Sequence, residues 1–176
     1  MDNRLIDNFN ATISIWLTAL DHYHFEELTE KPSTESWSLG QVYMHLVTET
    51  NFFITQINCC LSTNDNAEAT LSPQGAALLQ ANDLPDEKIE GPPSNAFVVQ
   101  PTGKQDLVMA LSNVKASMNA AAAAMQPGNK NGKTKHPGFN YLSAREWMQF
   151  AEIHLRHHLR QKKRLDDFLA GRNQSE

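Results

Sequence analysis

The sequence predicts an all-α fold, a four-helix bundle in which a long crossover joins the second and third helices. Two observations carry this. Four stretches return an apolar side chain every three or four residues, the period of a helix with one buried face. Between the second and third stretches lie about forty residues carrying Pro73, Pro85, Pro92, Pro93 and Pro101, far more than the few that join neighbouring antiparallel helices. A connection of that length lets the helices run in a direction that a short hairpin forbids.

The first helix is predicted from Arg4 to about Leu28, with Leu5, Phe9, Ile13, Trp16 or Leu17, and Leu20 on its inner face; His22 and His24 then fall near its end, where a cation offsets the helix dipole. Pro32 interrupts. Ser38 is the N-cap of the second helix, with Gln41 three residues on to complete a capping box, and this helix runs to about Cys60. Its inward stripe is read as Val42, His45, Glu49, Phe52, Gln56 and Cys59. Within the crossover, Ser72 to Gln80 adds a short helix, and Ala81 to Pro101 is extended or irregular. The third helix carries Leu107, Leu111, Val114, Met118, Ala121 or Ala122, and Met125, and its alanine run has the highest helix propensity in the chain. Pro127-Gly128 stops it, Asn129 to Phe139 forms a loop, and Ser143 caps the fourth helix.

At 176 residues the chain fits one domain, 1–176, with a flexible tail from about residue 171, and it buries a core without structural metals or disulfides. A metal in such a chain is functional. The net charge of -5 argues against nucleic acid as the partner. The start has no basic segment followed by an apolar one and no run is long enough to cross a bilayer, so the expectation is a cytoplasmic protein that does not engage membranes. Cys59 and Cys60 are adjacent, a poor geometry for a disulfide within a helix, and read as reduced thiols. Met109, off the main stripe of the third helix, hints at a homodimer surface.

The chemistry lies in the fourth helix. Trp147, Phe150, His154, His158, Gln161, Leu165 and Phe168 step by three or four, which places two imidazoles where core hydrophobes belong. Two histidines at i and i+4 can point to one cation without distorting the backbone, and His45 on the inner face of the second helix supplies a third nitrogen. Burying three imidazoles with nothing to bind is costly, and a divalent metal offsets that cost. Three neutral ligands leave a position open for water or substrate, as catalytic sites require, and a cation so bound lowers the pKa of water or of a thiol. Glu49, one turn beyond His45, is a fourth ligand, a general base, an acceptor from a ligand imidazole, or simply a carboxylate at the open end of the bundle. Gln161 and Gln41 border the site, His157 is turned off the seam, nothing in the spacing of His136 brings it to the site, and Trp37, Trp147 and Phe150 belong to the core.

Glu35-Ser36-Trp37-Ser38-Leu39-Gly40-Gln41-Val42-Tyr43-Met44-His45-Leu46, His136-Pro137-Gly138-Phe139, Glu146-Trp147 and the run from His154 to Gln161 together resemble the DinB-like, YfiT-type superfamily of metal-dependent enzymes. The resemblance implies a four-helix bundle that holds a divalent metal, zinc or nickel, through one histidine of the second helix and two of the last, at the positions of His45, His154 and His158. It also implies chemistry on a small-molecule substrate with a low-molecular-weight thiol such as bacillithiol or mycothiol, whose thiolate attacks an electrophile. Arg156, Arg160 or Lys163 would then hold a carboxylate of that cofactor, with Gln161 beside it. Three functions follow: a thiol-activating transferase, a hydrolase using metal-bound water, or a non-catalytic stress or ligand-binding bundle. Whether the crossover over residues 61–102 lids the site is left open.

Overall fold

The computed structural model describes residues 3–86, 97–126 and 130–172. The expectations for Pro92 and Pro93, for the Pro127-Gly128 stop and for the tail from residue 173 onward lie outside these. The described chain is mostly helical, with one small two-stranded sheet that the all-α expectation did not include.

Helix α1 covers Arg4–Ala19 and buries Phe9, Ile13 and Trp16 on the predicted face. Trp16 ties three helices together: its indole N–H donates to the Leu155 carbonyl at 3.1 Å, and its own carbonyl accepts from the Tyr43 hydroxyl at 2.9 Å. The helix does not reach Leu28. A 3-10 turn over Leu20–His22 follows, and Tyr23 then adopts extended backbone. A separate short helix, α2, occupies Phe25–Thr29. The reason is local. The Glu27 carboxylate accepts from the His24 backbone N–H at 2.7 Å, the reciprocal half of a capping box, so His24 opens a new helix instead of standing at the end of the first.

Helix α3, Leu39–Ser62, begins as its capping residues predict: the Gln41 N–H donates to Ser38 Oγ and the Ser38 N–H donates to Gln41 Oε1, each at 3.1 Å. The end of the crossover straps this start. Gln41 Nε2 donates to the Val98 carbonyl at 2.6 Å, Ser38 Oγ donates to Gln100 Oε1 at 2.7 Å, and Gln100 Nε2 donates to the Thr29 carbonyl at 3.0 Å. Gly40 is required there, because a Cβ would stand 2.7 Å from both the Leu28 carbonyl oxygen and Pro101 Cγ.

The inward stripe of α3 is not the predicted one over its second half. Phe52 is 43% exposed and Cys59 is exposed, while Phe53, Ile57 and Cys60 are buried. The buried line runs Val42, Leu46, Thr50, Phe53, Ile57, Cys60, nearer to the true 3.6-residue period than the stripe read through His45 and Glu49. His45 is itself buried beside this line, and Glu49 is half-buried at its edge. Cys59 and Cys60 are free thiols on different sides of the helix.

The crossover holds helix α4, Pro73–Ala81, which is capped by Ser72 and ended by Asn82 in the left-handed conformation. Helix α5, Lys104–Ala124, starts one turn before Leu107 and buries Leu107, Leu111, Val114, Met118 and Ala121. The predicted loop at 129–139 contains a strand instead: β1, Lys133–His136, pairs antiparallel with β2, Asn140–Ser143, in the register Lys133 to Ser143. Ser143 opens α6, Ala144–Arg172, with its backbone N–H on the Glu146 carboxylate at 2.7 Å. Arg172 is helical, so α6 extends past the predicted start of the tail. Helices α1 and α3 each pack against both α5 and α6. Met109 is 50% exposed. Among the described residues no helix is long and apolar enough to cross a membrane.

Candidate metal centre

Helix α3 delivers His45 and helix α6 delivers His154 and His158 to one point. His154 Nε2 lies 3.2 Å from His45 Nε2 and 3.2 Å from His158 Nε2, and one nitrogen from each ring falls within 4.8 Å of the others. His45 is 6% exposed. Burial disfavours the charged imidazoles: His45 is pushed down to about 3, with repulsion from His158 adding to it, His158 to about 4 against the opposing effect of its Gln161 hydrogen bond, and His154 well below its ordinary value by burial and its histidine neighbours. All three are neutral at pH 7, the form that ligates a metal.

Protons alone do not satisfy this arrangement. The Gln161 carbonyl oxygen lies 2.8 Å from His158 Nδ1, which must therefore carry the hydrogen and leave Nε2 as a bare lone pair. A hydrogen on His154 Nε2 can point at one neighbour only, and without one that nitrogen meets the bare Nε2 of His158, so one of the two contacts is left unsatisfied either way. His154 Nδ1 is buried with no partner among the described residues. With metal–nitrogen bonds of about 2.0–2.1 Å, nitrogens sharing one zinc sit roughly 3.3–3.4 Å apart, close to the two contacts here. The donor set fits a divalent cation.

Rings enclose the cluster. Phe53 meets His154 edge-on at 5.6 Å between centroids, Phe150 is 6.3 Å from His154, and Trp37 is 5.1 Å from His45. Phe150 and Trp147 are buried, as expected of core residues, but Trp37 is only half-buried and borders the site. Trp37 was missed because it precedes the helix, where periodicity gives no direction. His136 belongs to this aromatic wall and not to the metal: its ring stacks on Phe139 at 4.4 Å and packs on Phe150 at 5.2 Å. Its Nδ1 accepts from the Gly138 N–H at 3.0 Å, and burial lowers its pKa to about 4.

Glu49 is half-buried on the His45 flank of α3, and burial raises its pKa. Its carboxylate has no hydrogen bond or ion pair among the described residues. Gln161 is engaged with His158, and Gln41 spends both ends of its amide on the α3 cap and strap. His157 is half-buried beside His158, with its Nδ1 unpartnered among the described residues.

The structure turns Arg156 and Arg160 away from the cluster. Each is two residues from a histidine of α6, a rotation of about 200° around a helix. Arg156 donates to the Glu152 carboxylate from Nε at 2.9 Å and from Nη2 at 3.1 Å, and Nη2 also donates to the Asn82 carbonyl at 2.6 Å. Arg160 donates to the Leu84 carbonyl at 2.8 Å and to Asp83 at 2.5 Å. Both therefore fasten the crossover to α6, and the role expected for them toward a cofactor carboxylate is not what these contacts serve. Lys163 is exposed and paired with Asp167 at 3.0 Å.

The sequence pattern of the DinB superfamily matches residues 8–161, well over half of the chain and including all three histidines. The chain belongs to the DinB superfamily. A search of curated proteins returned no match. DinB superfamily membership and the three-histidine cluster together are compatible with a metal-binding protein.

Proposed function

We propose that this DinB superfamily chain is a metal-dependent transferase that activates a low-molecular-weight thiol for attack on a small electrophile, with His45, His154 and His158 holding zinc or nickel. The observation that carries the reading is the convergence of three neutral imidazole nitrogens at a half-enclosed, aromatic-walled site. The packing of α1 and α3 against both α5 and α6, with the connection after α3 running through α4, supports a four-helix bundle with a crossover as its frame.

A cation bound by three neutral ligands keeps its full charge and favours the ionised form of a thiol at neutral pH. The chain's own residues do the rest. Gln161 fixes the His158 tautomer so that Nε2 faces inward. Phe53 and Phe150 exclude water from one side of His154, and Trp37 walls the side of His45. In the transfer, the sulfur–carbon bond forms as the electrophile's bond to its leaving group breaks, and the thiol proton passes to solvent.

The test is a screen of zinc- and nickel-loaded protein with several small thiols against 1-chloro-2,4-dinitrobenzene and an epoxide, beside His154→Ala. Metal- and thiol-dependent product formation that disappears in the variant supports the reading; equal background rates contradict it. A second reading, hydrolysis with Glu49 taking the proton of the attacking water, is favoured by one observation: a half-buried carboxylate one helical turn from His45 that has no partner among the described residues. Release of product from an ester or amide without any thiol distinguishes it.

A further inference from the structure

The polar side chains bordering the cluster divide by whether they are already engaged. Gln41 has partners at both ends of its amide, and the Gln161 carbonyl oxygen is taken by His158. Arg156 and Arg160 are rotated to the far side of α6 and tied to the crossover. Lys162, one turn after His158, donates to the Tyr23 hydroxyl at 2.6 Å and to Asp166 Oδ2 at 2.7 Å, so its charge is already matched. Glu49 carries the one carboxylate among them, and it has no partner among the described residues. Among the described residues bordering the site, the rim therefore presents the Glu49 carboxylate and no unpaired lysine or arginine.

We infer that Glu49 selects the thiol by its far end, so that the small molecule placing its sulfur at the histidine cluster carries an ammonium or hydroxyl group two or three bonds away and not a carboxylate. This rests on the thiol reading above and names its ligand class. Side chains four apart on a helix have Cβ atoms about 5–6 Å apart, a span that a two-carbon chain crosses between the imidazole of His45 and the carboxylate of Glu49. Trp37, against the His45 ring, limits the room on the other side. An amine or hydroxyl at that distance donates to a charged acceptor otherwise left partly desolvated, whereas a second carboxylate meets like charge. Glu49 is thus a specificity-determining residue of the site.

The test uses cobalt-loaded protein, whose absorption changes when a thiolate joins the metal. It is titrated with cysteamine, 2-mercaptoethanol and 3-mercaptopropionate, and each affinity is expressed per thiolate. The expected result is binding of cysteamine about tenfold or more tighter than 3-mercaptopropionate, the size of one hydrogen bond to a charged group. Glu49→Gln removes the preference with cobalt binding retained, and Glu49→Lys reverses it. Equal affinities, a preference for the carboxylate in the parent protein, or a preference that neither variant alters overturns the inference while leaving the thiol chemistry standing. If cobalt stays bound and none of the three thiols changes its spectrum, the thiol reading itself fails and the inference falls with it.

Discussion

The amide oxygen of Gln161 lies 2.8 Å from His158 Nδ1, close to one turn further along α6, and this contact decides which nitrogen of His158 faces the cluster. Gln161→Leu removes the acceptor while keeping the volume. Zinc affinity is expected to fall about 10–100-fold with little change in melting temperature, as for other residues that orient a ligating imidazole. Competition with a chromophoric chelator measures it; an unchanged Kd would mean that packing alone orients the ring.

Arg156 and Glu152 make the opposite kind of pair. Glu152 is 6% exposed and accepts from Thr12 as well as from Arg156. Arg156→Ala leaves that carboxylate short of a partner and frees the Asn82 carbonyl, so unfolding free energy should drop by about 1–3 kcal/mol, discounted because the guanidinium is partly exposed. Metal affinity should stay within about threefold, since the guanidinium leaves the helix on the far side. Urea denaturation with the chelator assay separates the two outcomes, and a large loss of metal binding would place Arg156 at the site after all.

Gly40→Ala is expected to cost about 1–3 kcal/mol, because the new methyl meets the Leu28 carbonyl and the Pro101 ring, neither of which retreats easily. The strap over the α3 start should loosen with it. Hydrogen exchange of the Gln41 and Val42 amides, which donate to Ser38 at this helix start, reads the loosening, and unchanged protection with unchanged stability would refute the close approach.

His136 gives the metal-free protein a pH dependence. Its pKa of about 4 in the folded chain lies below the ordinary 6.5, so between these values the unfolded chain binds more protons. The stability that the neutral ring contributes is complete above about 6.5 and lost as pH falls through about 4. His136→Phe should remove on the order of 1–2 kcal/mol of that dependence, allowing for the ring's partial exposure. Chelated parent and variant are compared by denaturation between pH 7 and pH 4; parallel curves would contradict the assignment.

Much of this was legible in the sequence where periodicity and side-chain chemistry agree. The three histidines share helix faces with buried aromatics, and Ser38 with Gln41 marks the start of α3 by a bond pattern that residue types alone specify. Other features follow from tertiary contacts that no local pattern carries. The partners of Arg156 and Arg160 lie at Asn82–Leu84, in a stretch without periodicity, although a count of two residues from His158 already directs both side chains away. The β1–β2 hairpin hides in a lysine- and glycine-rich stretch and is held by Trp147 Nε1 donating to Thr134 Oγ1 at 2.7 Å. The break after Ala19 turns on one carboxylate, Glu27, that periodicity does not weigh.

The proposed chemistry depends on His45, His154 and His158 holding one divalent metal. Elemental mass spectrometry of tag-free protein, purified without chelator and after reloading with zinc or nickel, tests it beside His45→Ala and His154→Ala. The expected result is close to one metal per chain in the parent and a sharp fall in both variants that remain folded by circular dichroism. A parent that holds no metal under any loading condition, or variants that hold as much as the parent, would contradict it.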